Sequence, residues 1–147
     1  MSEYETDIMS WSEHQAELLR RRAAGELVNE AELDWPNIAE EIESVGNEQR
    51  HAVESLLTLI MQHLLQIEAW PGSEAVPHWR HEVDGWRVQV ERRFRRGPKL
   101  RADMASELGE LYRDSVRSMY REVDGVPRPP VPDVCPWTLD ELLGDDP

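Results

Sequence analysis

The side chains in this chain best able to bind a metal or move a proton fall in two places. Glu40, Glu41, Glu43 and Glu48 lead into His51 and His63, and the run HWRHE holds His78, His81 and Glu82. Paired carboxylates with a histidine are the equipment of general acid–base catalysis, and histidines with carboxylates on facing helices hold iron, manganese or zinc. A di-iron bundle needs two Glu-x-x-His motifs and two further glutamates. Only one such motif is present, Glu48-Gln-Arg-His51, so that centre is not expected. His51 and His63 stand about 18 Å apart if one helix carries both, too far to share an ion. His78 lies one turn from both His81 and Glu82, a spacing that suits a surface zinc but lacks the H-E-x-x-H order of the metalloproteases. These three are weak metal candidates, and no cofactor is expected.

Asp7, Glu41, Glu43 and His63 form the candidate polar site. Twenty-two residues separate Glu41 from His63, so the two meet only if the helix bends at Gly46 or another helix supplies the carboxylate, with Asp7 the first choice. The blander reading makes the glutamates a solvated run favoured by the positive end of a helix dipole. On that reading His63 is a core-edge histidine satisfied by a carbonyl or carboxylate. Cys135, in VCPW, is the one cysteine; it excludes an internal disulfide and a thiolate-rich metal site, and reads as a half-buried structural thiol. No Walker A loop, dinucleotide fingerprint or nucleophile elbow occurs.

The elements that must position these groups read as helices. Asp7 to about Arg22 forms a first helix, with Asp7 an N-cap, Ser10 and Glu13 a capping box, and Ile8, Trp11, Gln15, Leu18 and Leu19 on one face. Gly25 ends it, and 26–35 fits either two helical turns or a loop. A long central helix spans 37–67, entered through Pro36 and kinkable at Gly46. Its expected core stripe is Ile38, Ile42, Val45, Ala52, Val53, Leu56, Ile60 and Ile67. A third helix runs from Pro77 to about Arg95, its seam formed by Trp79, Val83, Trp86, Val90 and Phe94. A fourth runs from about Lys99 to Val123 through Leu100, Met104, Leu108, Leu111, Ser115 and Met119. Gly109 inside it costs about 1 kcal/mol against alanine unless close packing offsets it. Gly125 caps it, the Pro-rich tail over 126–136 is extended across the bundle, and Thr138 with Glu141 opens a short last helix. The expectation is an all-α fold: one small helical domain over 1–147, with a bundle core over 1–124 and the tail and short helix over 125–147.

The net charge of -14 opposes general binding to nucleic acid or anionic lipid. Seven bases against one acid over 87–101 make that segment +6 and leave -20 on the rest. Arg92, Arg93, Arg95, Arg96 and Lys99 are therefore a candidate interaction patch. Pairing with the acidic face of the central helix, or with a protein partner, is preferred to a phosphate-binding face. No run approaches the roughly 20 apolar residues of a membrane span, and the acidic start does not resemble a signal peptide, so a cytoplasmic location is expected.

Five blocks in order, YETDIMSWSEHQAELLR, IAEEIESVGNEQR, LLTLIMQHLL, PHW and VCPWTLDELL, resemble the bacterial family known as domain of unknown function 29. The matching positions are Asp7, Trp11, Glu40, Glu41, Glu43, Gly46, His63 and Trp79. The resemblance implies a small all-helical fold and no particular activity. Where the family pattern has a basic residue and an aromatic-Gln pair after His-Leu-Leu, this chain has Gln66 and Ile67. A site built on that basic side chain is not expected here. The function expected is a protein-interaction or regulatory module, acting on a protein partner or by self-association. The alternative is a metal-dependent or carboxylate–histidine enzyme, and the lesser one is nucleic-acid binding through 87–101.

Overall fold

The computed structural model describes residues 1–119 and 130–144, and every described element is helical. In order these are α1 (Glu3–Thr6), α2 (Ile8–Ala23), a 3-10 turn (Glu30–Glu32), α3 (Trp35–Ala69), α4 (Val76–Phe94), α5 (Pro98–Met119) and α6 (Leu139–Leu142). The all-α expectation with a long central helix holds. None of the described helices is long and apolar enough to cross a membrane. The expected end of the fourth helix, its Gly125 cap and the first prolines of the tail lie outside the described residues. One helical domain was expected over 1–147; the chain's contacts gather into two compact units, Met1–Glu48 and Gln49–Pro147. The division falls inside α3, which continues through Gly46 as helix.

Local chemistry sets the ends of the elements in the first unit. Ser2 and Glu5 form a capping box on α1, a turn of helix the sequence reading did not anticipate. Asp7, not Ser10, caps α2: its Oδ1 accepts the Ser10 backbone N–H at 3.0 Å, which places Ser10 inside the helix. The Ser10–Glu13 capping box is thereby replaced by the earlier cap. Gly25 follows α2 at φ +83°, the left-handed conformation glycine adopts without penalty. Of the 26–35 segment, 26–34 is a loop with one 3-10 turn, started by the Asn29 side chain accepting from Ala31, and Trp35 already begins α3. Trp11, Leu18, Leu33 and Ile38 make a small core. Gln15 is buried with them because both ends of its amide are used: Nε2 donates to the Glu32 carbonyl at 3.0 Å, and Oε1 accepts from the Asp34 N–H at 2.9 Å. Buried polar groups are tolerated when paired in this way.

The second unit holds the larger core. Val53, Leu57, Ile60, Met61 and Leu65 of α3 pack with Val83, Val90 and Phe94 of α4 and with Met104, Leu108 and Tyr112 of α5. Of the expected α4 seam, Val83, Val90 and Phe94 are core and Trp86 packs half-buried at its edge, whereas Trp79 is half-buried outside that core. The described tail also behaves as expected. The Tyr112 hydroxyl donates to the Pro132 carbonyl at 2.6 Å, Trp137 meets the Tyr112 ring edge to face, and Val131 and Cys135 cover core side chains. Thr138 and Glu141 form the expected capping box on α6, whose Leu139 and Leu142 are buried. Gly109 gains nothing from close packing, since no atom lies within 4 Å of where its Cβ would stand.

Two members of the expected α3 stripe need correction, and one buried residue must be added to it. Ile42 is 69% exposed and Val45 is 63% exposed, whereas Leu57, absent from that stripe, is wholly buried. Over 39–48 only Glu41, which Tyr4 reaches, and Ser44 are half-buried, and no residue is buried. The apolar periodicity continues through this stretch, but Ile42 and Val45 stay exposed among the described residues.

Candidate functional site

Asp7, Glu41 and Glu43 belong to the first unit and His63 to the second. Asp7 is exposed and engaged as a cap; the Ser10 N–H and then the Ser10 hydroxyl, at 3.0 and 2.7 Å, hold its carboxyl below the usual range. Glu41 accepts a 2.6 Å hydrogen bond from the Tyr4 hydroxyl. That bond first, then burial and the Glu41 charge, push the Tyr4 phenol up to about 12. Glu43 is exposed and has no partner among the described residues. Beside Glu41, Asp34 accepts from Asn37 Nδ2 at 2.8 Å and from Trp11 Nε1 at 3.0 Å, and these donors, Asn37 foremost, lower its pKa. Asp7, Asp34 and Glu41 thus act as fastenings for α1, α2 and the entry to α3.

His63 lies at the core edge, its side chain 17% exposed. Nδ1 is 2.9 Å from the Leu59 carbonyl oxygen, Nε2 is 3.1 Å from Glu82, and the ring meets Trp86 edge to face at 4.7 Å. A general base must offer a lone pair to the proton it takes. Both ring nitrogens here are occupied by the protein's own oxygen atoms. One carboxylate, not two, stands beside the ring, and neither residue lines the half-open cleft of about 580 Å³ that runs along α5 between Ala102, Ala105, Leu108, Cys135, Trp137 and Leu139. Burial pushes the Cys135 thiol up, against a contribution from its bond to the Trp137 carbonyl, so the thiolate that a nucleophile requires is disfavoured.

Of the weak metal candidates, His78 Nε2 reaches Glu82 at 3.4 Å, so Glu82 is shared between His78 and His63. His81 is exposed and joins neither. Among the described residues, no group of three or more His, Cys, Asp or Glu side chains is placed to hold a metal ion.

The basic segment is only partly paired. Arg93 donates to the Gln49 side chain at 2.8 Å, and Lys99 to Asp103 at 2.8 Å. Outside the named patch, Arg101 meets Asp140 at 2.5 Å, and Arg87 donates to the Leu142 carbonyl at 2.8 Å. The Arg92, Arg95 and Arg96 side chains are exposed and make no hydrogen bond or ion pair among the described residues. The expected pairing with the glutamates of α3 is not what the described contacts show. The helix instead contributes a cation of its own: Arg50 meets Glu107 at 2.8 Å and Asp103 at 2.7 Å on α5. Nothing in a single sequence marks Arg50 as the cross-helix partner, since its neighbours lie more than fifty positions away.

The model of the family described as domain of unknown function DUF29 matches residues 3–146. The chain belongs to that family. No curated protein and no solved structure matches it. The resemblance drawn from the five sequence blocks is therefore established, and with it a shared family but no activity. For this DUF29 chain the feature sequence reasoning missed is the bare stretch of α3 over 39–48. Apolar spacing does not reveal it, since Ile42 and Val45 continue the stripe, with Glu41 and Glu48 along one edge.

Proposed function

We propose that this DUF29 chain is a cytoplasmic protein-interaction module that uses the uncovered face of α3. The observation that carries the proposal is the exposure of Ile42 and Val45, 69% and 63%, on a helix that buries Val53, Leu57, Ile60, Met61 and Leu65 further along. Scattered exposed apolar residues are ordinary, but a concentration of them marks a contact surface. In the first unit Ile8, Met9, Leu27, Trp35, Ile42 and Val45 are all exposed, against four buried apolar side chains. The second unit exposes only Trp70, Val88 and Val134 against fourteen buried ones among the described residues.

Site-directed photocrosslinking in the source cell tests this. A photoreactive residue at position 42 is expected to give a discrete protein adduct that the same residue at the exposed position 113 does not. Peptide mapping of the adduct identifies the partner segment. No adduct at 42, or equal adducts at both positions, would sink the reading.

A further inference from the structure

From the charge and spacing around Ile42 and Val45, we infer that the partner is a basic amphipathic helix of another protein. This rests on the interaction reading above and gives the partner its chemistry. At 100° per residue Ile38, Ala39, Ile42, Val45 and Gly46 share a sector of roughly 120°. Ile38 is buried in the first unit's core and anchors the stripe, while Ile42 and Val45 carry it into solvent. The spacing 38, 42, 45 is that of alternating coiled-coil core positions, the pattern that meets a helix rather than a strand. One border of the stripe is small: Ala39 lies there, and Gly46, where an added Cβ would meet nothing within 4 Å, leaves room for a partner backbone.

The other border is acidic. Glu41 and Glu48 occupy the flanking positions whose charges select a coiled-coil partner, and Glu43 lies beyond the small border. Glu41 also holds Tyr4, so Glu48 and Glu43 are the carboxylates left to meet incoming cations. Met1–Glu48 carries thirteen acids against three arginines. A second copy of this stretch is a poor occupant: antiparallel pairing sets Glu41 and Glu48 against their own counterparts, and either orientation brings thirteen acids to thirteen. A helix with apolar residues at core positions and lysine or arginine beside them satisfies both the stripe and its border.

The test titrates the full chain into a fluorescein-labelled three-heptad peptide with leucine at the core positions and lysine at the flanking ones. Its comparators are a scrambled peptide and a peptide with glutamate in place of lysine. The lysine peptide is expected to bind, more weakly as salt rises, and the comparators are not. Ile42→Asp with Val45→Asp should weaken binding about tenfold or more, as loss of central apolar anchors does. Both positions are exposed, and an unchanged far-UV circular dichroism spectrum is required of the variant. Glu43→Gln with Glu48→Gln should weaken binding several-fold and flatten the salt dependence, while Glu68→Gln with Glu110→Gln, an equal change of net charge at exposed positions of the second unit, should change neither. Equal binding of the scrambled peptide, or an equal effect of the distal pair, would reduce the interaction to net charge and overturn the inference. So would no binding at all. If crosslinking at position 42 captures a protein whose contacting segment is acidic, or a second copy of this chain, the basic helix is refuted and the interaction reading survives.

Discussion

Ile42→Ala and Leu57→Ala are the same kind of truncation on one helix, and they should have very unequal consequences. Leu57 is fully buried against α4 and α5, where removing a leucine side chain to the β-carbon costs about 2–5 kcal/mol. Ile42 keeps 69% of its surface in water. Full burial of such a side chain contributes about 1.5–3 kcal/mol, so the remaining third is worth roughly 0.5–1 kcal/mol. Alanine returns up to about 0.7 kcal/mol through its higher helix propensity. The two nearly cancel, and Ile42→Ala is expected within about 0.5 kcal/mol of the parent. Urea unfolding followed by far-UV circular dichroism reads both variants, with an unchanged slope required for the comparison. A loss above about 1.5 kcal/mol for Ile42→Ala would place that residue in a core and refute the reasoning.

Three further outcomes follow from the same contacts. The carboxyls of Asp7, Asp34 and Asp103 are held below their ordinary range by hydrogen bonds, from Ser10, Asn37 and Lys99 respectively. Depressed folded-state values contribute stability that is present above the unfolded value of about 3.9 and lost as pH falls through the folded ones. Melting temperature should therefore drop below about pH 4, and Asp34→Asn should make the drop shallower; an unchanged acid limb would contradict this. Tyr4 shifts the other way: its neutral form is favoured, so its contribution is complete below about pH 10 and disappears as pH rises through about 12. Ultraviolet titration should show a late-ionising tyrosine that Glu41→Gln moves earlier. Gly46→Ala and Gly109→Ala each meet open space in a helix, and each should raise stability by up to about 1 kcal/mol in urea unfolding.

Helix positions were legible because their signals are local. Capping side chains, terminal glycines and prolines, and apolar spacing act over one or two turns, so the bounds of α2, α4 and α6 fall close to those read from the sequence. Burial along α3 was less legible because periodicity gives a face its direction, not its cover. Ile42 and Leu57 look alike in sequence; only the arrangement of the other helices distinguishes them. The candidate polar residues met the same limit. His63 as a core-edge histidine paired with a carbonyl and a carboxylate could be anticipated, but its carboxylate is Glu82 of α4 rather than a glutamate of its own helix. The ties Tyr4–Glu41, Trp11–Asp34 and Arg50–Glu107 join positions 37, 23 and 57 apart, with no local pattern to announce them.

Hydrogen exchange on the intact chain, free and with the lysine-flanked peptide, tests most directly whether the uncovered stretch of α3 is the working surface. Bare helical turns without tertiary cover open readily, so the amides of 39–48 should exchange faster than those of 53–65 in the free protein. The peptide should slow exchange over 39–48 and leave 87–101 unchanged. Protection confined to 87–101, or none anywhere at saturating peptide, would contradict the account.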